Sequence, residues 1–137
     1  MPSIAIRAFV YVCIGVLGEV IFTALKKLWQ KHDWTLEGAT QLWVFPLYAA
    51  AVLGFEPLHD ALRPYSFILR GIIYVIIIFI AEGCMGFIAK KLTGKCPWEY
   101  TGRWHFNGYI NLPHAPFWFA LSFIFERLHD YLISLPL

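Results

Sequence analysis

Phe55-Glu56-Pro57-Leu58-His59-Asp60 returns near the far end of the chain as Phe125-Glu126-Arg127-Leu128-His129-Asp130. Each copy sets an acidic residue at the end of an apolar run and a histidine three positions later. Positions i and i+3 share a helix face, so both copies read as Glu-x-x-His pairs on helices. Working outward, Trp34–Asp60 aligns with Trp104–Asp130 at a constant offset of 70 positions, with ten identities in 27. Chance gives roughly two, so the repeat is real. It also pairs Trp34 with Trp104, Gly38 with Gly108, Leu42 with Leu112, Pro46 with Pro116 and Ala50 with Ala120. Upstream, Glu19 and Lys26-Lys27 answer Glu82 and Lys90-Lys91, in a register that differs by six or seven residues. The difference falls around Lys95-Cys96-Pro97-Trp98-Glu99-Tyr100, which the first half lacks.

The repeat sits in an unusually apolar chain. Of 137 residues, 59% are hydrophobic and 15% charged, and the mean hydropathy is +0.60. A soluble domain carries about 25% charged residues. The apolar surface exceeds what one small core can hold, so lipid is the expected solvent and the chain a single membrane domain, residues 1–137. A net charge of +2 and the lack of a basic, aromatic-laced face argue against nucleic acid. Cys13, Cys84 and Cys96 are an odd, widely spaced set with no disulfide framework or CxxC site, and read as small buried hydrophobes. The first apolar run is followed by Glu19 and Lys26-Lys27 without an A-x-A site, so it reads as a retained membrane helix and not a signal peptide.

Four segments emerge: about Ile4–Leu28, Leu42–Asp60, Ser66–Leu92 and Ala115–Leu135. Each is interrupted by one acidic residue, and counting through it gives four spans of roughly 20 residues. Pro46 and Pro116 suit helix first turns. Trp29, Trp34 and Trp43 mark headgroup depth. The expected fold is therefore all-α and integral to the membrane. Its four transmembrane helices form two tandem hairpin repeats, about 4–63 and 66–135. An even number of spans returns the chain to its starting side, so the hairpins run parallel and the pseudo-two-fold lies along the membrane normal. Lys26, Lys27, Lys31, Lys90, Lys91, Lys95 and Arg103 fall in the hairpin loops, against Arg7, Arg63, Arg70 and Arg127 elsewhere. That bias puts the hairpin loops in the cytoplasm.

With helices ending near Leu28 and Leu92 and starting near Pro46 and Pro116, Glu19, Glu56, Glu82 and Glu126 are each about ten residues from the loop side, roughly 15 Å deep. Four carboxylates in hydrocarbon must face one another, be protonated, bind a cation or meet water. The chain order Glu19, Glu56/His59, Glu82, Glu126/His129 matches that of ferritin-like dinuclear bundles, where carboxylates bridge two iron or manganese ions and histidines cap them. Against this, Pro57 sits inside the first motif, and Arg127 places the second near an interface. Hydrogen bonding across the repeat, a cation or proton site, and a dinuclear metal site all remain open. Asp60 and Asp130 either orient a neighbouring histidine or end the helix. The connection from Thr93 to Pro113 reads as a lid or as an aromatic interfacial anchor. No Ser/His/Asp order, glycine-rich phosphate loop or HExxH is present.

In that connection, Lys95-Cys96-Pro97-Trp98-Glu99-Tyr100-Thr101 and Phe106-Asn107-Gly108-Tyr109-Ile110-Asn111-Leu112 resemble the C-P-W-D-Y-S … N-G-x-I-x-L signature of the putative ABC-transporter type IV (CmpB-like) family, to which vertebrate transmembrane protein 229 is related. Gly18-Glu19-Val20-Ile21-Phe22-Thr23 and Ala81-Glu82-Gly83 resemble that family's Glu-bearing helices. The resemblance implies a multi-pass membrane protein with Cys96, Pro97, Trp98, Glu99, Tyr100, Asn107 and Gly108 as its signature loop. Glu99 stands where the family has Asp, and the histidines after Glu56 and Glu126 are not general in it.

The function expected from these observations is binding or movement of a small cation or proton, or of a solute coupled to one, at the Glu/His cluster. The alternatives are a membrane-embedded di-metal oxidoreductase holding two transition-metal ions, and a non-catalytic subunit of a larger membrane complex. The partners expected are the lipid bilayer and a second copy or another membrane subunit.

Overall fold

The computed structural model describes all 137 residues. Five α-helices and one small hairpin make up the fold: α1 Ile4–Lys31, α2 Val44–Ala49, α3 Phe55–Leu62, α4 Phe67–Thr93, β1 His105–Phe106, β2 Ile110–Asn111 and α5 Ala115–Ser134. The long helices α1 and α4 start and stop alike. Ser3 and Ser66 cap their N-termini by accepting from the amides of Ile6 and Leu69. His32 and Gly94 end them in the left-handed conformation, each donating its amide to the carbonyl four residues back. Both helices are long and apolar enough to cross a membrane, with only 17% and 22% of their most apolar windows buried. The core helix of a soluble protein would be mostly buried, so these faces are dressed for lipid. Along α4, Ile68, Ile72, Ile76 and Ile80 are exposed at successive turns.

The second segment departs from expectation. Leu42–Asp60 is not one helix but α2, a 3-10 turn at Ala50–Val52 and α3. The break falls before Gly54, and α3 begins at Phe55, which puts Pro57 in its first turn. There a missing amide costs nothing, so Pro57 initiates α3 instead of interrupting the Glu-x-x-His motif. The second departure is β1–β2, antiparallel strands with Phe106 opposite Ile110. Asn107 and Gly108 both take positive φ at the turn, the conformation that favours an Asn-Gly pair in a hairpin.

α1 packs chiefly on α2, and α4 on α5; α1 with α5 and α2 with α4 join the halves. The core comprises Tyr11, Val44, Tyr48, Ala51, Val52, Trp118, Leu121, Phe125 and Leu132. Cys96 is buried as expected, but Cys13 and Cys84 lie exposed on the outer faces of α1 and α4. Those faces carry the apolar surface that does not pack inside the chain.

Candidate functional site

The repeat reaches further back than Trp34. The cap Ser3 and Arg7, Tyr11, Glu19 and Lys27 of α1 recur as the cap Ser66 and Arg70, Tyr74, Glu82 and Lys90 of α4, at a constant offset of 63. The seven-residue difference from the later offset is the insertion that carries Cys96 to Tyr100. These repeated polar residues form two separate layers.

The first layer is symmetric and closed. Arg7 donates from Nε to Glu56 Oε1 at 2.9 Å and from Nη2 to Oε2 at 3.0 Å, and Tyr11 donates its hydroxyl to Glu56 Oε1 at 2.9 Å. Arg70 grips Glu126 in the same way at 2.9 and 3.1 Å, and Tyr74 donates to Glu126 Oε1 at 2.6 Å. Arg and Tyr lie four apart on one helix, so a single face presents both donors to one carboxylate. The histidines cross over. His129 Nδ1 lies 3.2 Å from Glu56 Oε1 and its Nε2 3.4 Å from Asp60. His59 Nδ1 lies 3.2 Å from Glu126 Oε1 and its Nε2 3.2 Å from Asp130. Each histidine thus serves the other half's glutamate, and the two rings meet edge to face at 5.7 Å. Arg63 bridges Asp60 and Asp130 at the outer end, at 2.9 and 2.6 Å. Arg7, Glu56, His59, Glu126 and His129 are all at most 6% exposed. Buried charges need this degree of pairing.

The second layer holds Glu19 and Glu82. Tyr11 and Tyr74 precede them by eight residues and Arg7 and Arg70 by twelve, which separates the layers by about 12–18 Å along the helices. The expectation of four carboxylates at one depth is therefore corrected. Phe22 stacks on Phe117, and Lys26 reaches His114, so the end of α1 runs past the start of α5. Counting from unequal ends placed Glu126 level with Glu19.

Glu19 accepts from the Thr40 hydroxyl and from Tyr48 at 2.9 Å. Glu82 accepts on Oε1 from Tyr100 at 2.7 Å, while its Oε2 is buried without a partner. Neither carboxylate forms an ion pair. Both line a cavity of about 420 Å³ with mostly apolar walls, shared with Tyr48, Trp98, Tyr100 and Trp118. The Nε1 of Trp118 is likewise buried and unpartnered. Symmetry fails in this layer. Trp118 stands at the repeat position of Tyr48, so its indole replaces the hydroxyl that serves Glu19. Tyr100, from the insertion, supplies Glu82 instead.

The signature loop thus closes over the cavity. Trp98 donates from Nε1 to the Tyr109 carbonyl at 3.1 Å, and the Tyr100 amide to the Gly108 carbonyl at 2.9 Å, locking the loop to the hairpin. Cys96 packs at Gly86. Glu99 is exposed. At the cavity mouth His114 is pushed down to about 4 by burial and then by Lys26, so it is neutral at pH 7. Burial, with Glu82 next in weight, pushes the Tyr100 phenol up, so it stays a donor.

For a dinuclear metal centre the donor set is divided. Glu19 and Glu82 lie apart from both Glu-x-x-His motifs, guanidinium groups occupy Glu56 and Glu126, and no three His, Cys, Asp or Glu side chains converge as metal ligands. Sequence reading overlooked Arg7, Tyr11, Arg70, Tyr74, Tyr48 and Trp118. The signal for the first four was the Arg-x-x-x-Tyr spacing that occurs at the same offset as the glutamates.

The family model described as putative ABC-transporter type IV matches residues 7–135, nearly the whole chain. No solved structure matches it. The chain belongs to that family, and with its two long apolar helices it is a membrane protein.

Proposed function

We propose that this family member crosses the membrane four times and binds a cation between Glu19 and Glu82, moving it or a solute coupled to it. One contrast carries the reading. Of four repeated glutamates, Glu56 and Glu126 are each held by an arginine, whereas Glu19 and Glu82 have only hydroxyl partners and face a cavity. The positive charge absent from that layer is what a bound cation would supply. The remaining spans are α5, whose 20 residues give about 30 Å, and the broken α2–α3 segment. Both escape a hydropathy criterion, α5 because Glu126, Arg127 and Asp130 cluster at its end, and α2–α3 because of its break.

Orientation follows from the free cations. Arg7 and Arg70 are each paired with a glutamate, so the excess of loop-side lysines supports a cytoplasmic location for the hairpin loops. With no glycine-rich phosphate loop here, the driving force comes from an ion gradient or from a partner subunit.

The test is cation entry into proteoliposomes, followed with a pH-sensitive and a sodium-sensitive dye under an imposed gradient. Wild type conducts one of the two ions, and Glu19→Gln and Glu82→Gln abolish it. Flux equal in wild type and both variants would overturn the reading.

A further inference from the structure

We infer that the cavity between Glu19 and Glu82 binds an organic ammonium with an apolar body and a hydrogen-bond acceptor. This deepens the proposed function and rests on the reading of the two glutamates as a cation site. Four observations bear on the ligand.

A cavity of about 420 Å³ is far larger than a bare ion and falls in the range that holds small organic ligands. Its walls are mostly apolar, so a magnesium or calcium ion would lack the six or more oxygens it needs. An ammonium needs fewer, and aromatic faces attract it. Phe22, Tyr48, Phe55, Tyr74, Phe117 and Phe125 supply those faces. Two unpartnered atoms, in residues more than nine-tenths buried, then define the polar ends. Glu82 Oε2 accepts and calls for an N–H donor, and Trp118 Nε1 donates and calls for an acceptor. A proton alone would satisfy the first but not the second. The chain's own cation at the mouth, Lys26, is engaged with His114 at 3.4 Å and not with either carboxylate. The break in the repeat is consistent with this. The symmetric layer binds its own arginines, and the asymmetric one, built with a tryptophan and an inserted tyrosine, is left short of a cation.

The amine can be a soluble molecule or an ethanolamine lipid headgroup, since the recognition chemistry is shared. The test is calorimetric titration of the full chain in phosphatidylcholine nanodiscs with three probes. Tyramine carries the ammonium and a phenol oxygen, phenethylammonium lacks the oxygen, and 4-ethylphenol lacks the ammonium. Tyramine is expected to bind at least about tenfold more tightly than 4-ethylphenol, with Glu82→Gln removing that preference. Trp118→Phe is expected to weaken tyramine several-fold and leave phenethylammonium unchanged. Should Glu82→Gln fail to fold, the wild-type ranking of the probes still decides. Discs containing phosphatidylethanolamine separate the sources: competition with tyramine assigns the lipid, and unchanged binding the soluble amine. Equal affinity for tyramine and 4-ethylphenol, or none for tyramine, overturns the inference. If glutamate-dependent inorganic cation flux persists without tyramine binding, only the ammonium assignment falls and the cation site stands. If tyramine binding depends on Glu82 but no inorganic flux is seen, the ammonium assignment stands and inorganic transport falls.

Discussion

Arg7 and Glu56 are both buried, and each is the other's only full counter-charge. Arg7→Ala would leave a buried carboxylate with only Tyr11 and His129, which costs about 3–5 kcal/mol. Denaturant unfolding in detergent would show this, and a double cycle with Glu56→Gln would recover much of the loss if the pair is what matters. Arg70→Ala is expected to behave alike, since its geometry repeats. His114 offers a pH test at the same scale. Burial and Lys26 hold it near 4, below its ordinary 6.5. As pH falls between those values the unfolded chain binds the proton first, so stability declines there. His114→Phe keeps the aromatic contacts with Phe22 and Tyr100 and should flatten that part of the stability profile. A profile unchanged by the substitution would argue against the neutral histidine. At this scale the sequence was half legible. Glu19, Glu56, His59, Glu82, Glu126 and His129 are buried or half-buried polar residues, as their spacing implied. Which histidine serves which glutamate depends on how the two halves face each other, and no local pattern records that.

Among the elements, the turn before α2 shows how tightly the chain is docked. Thr23 donates to the Ala39 carbonyl at 3.1 Å and accepts from the Ala39 amide at 2.8 Å. A Cβ on neighbouring Gly38 would land on the Val20 carbonyl oxygen, which belongs to backbone and cannot swing away. Gly38→Ala should therefore cost about 1–3 kcal/mol or more. Gly102→Ala, with open space around it, should change stability by less than about 0.5 kcal/mol in a parallel melt. The repeat made Gly38 and Gly108 look equivalent, but the reasons differ: Gly38 allows close approach, while Gly108 takes φ of 75° in the hairpin turn. Helix starts near Pro46 and Pro116 were readable from proline chemistry, whereas Pro57 read as an interruption and instead lies in the first turn of α3. The break at Gly54 was not readable, because the apolar run continues through it. The hairpin lay behind Asn107-Gly108, a turn signal hidden by flanks too short to alternate visibly.

For the whole molecule, the pseudo-symmetry of the arginine layer supports two parallel hairpins, and this predicts where labels can reach. Single cysteines at Lys31 and Lys95, in a background lacking Cys13, Cys84 and Cys96, should react with a membrane-impermeant maleimide only from the cytoplasmic side. A cysteine at Tyr65, exposed in the connection between the halves, should react only from the opposite side. Reaction of all three from one side would refute the four-span arrangement. The apolar composition carried the mostly helical, membrane-protein character in the sequence. The division of labour between layers was hidden, since it depends on α1 overrunning the start of α5. The central claim is that one glutamate layer holds the fold together and the other is kept open for a ligand. Unfolding midpoints of Glu126→Gln and Glu82→Gln, measured side by side without added ligand, test it most directly. A marked fall is expected for Glu126→Gln, which strips Arg70 of its charged partner, and no change or a rise for Glu82→Gln, which removes a buried carboxylate without an ion pair. Equal losses in both variants would contradict it.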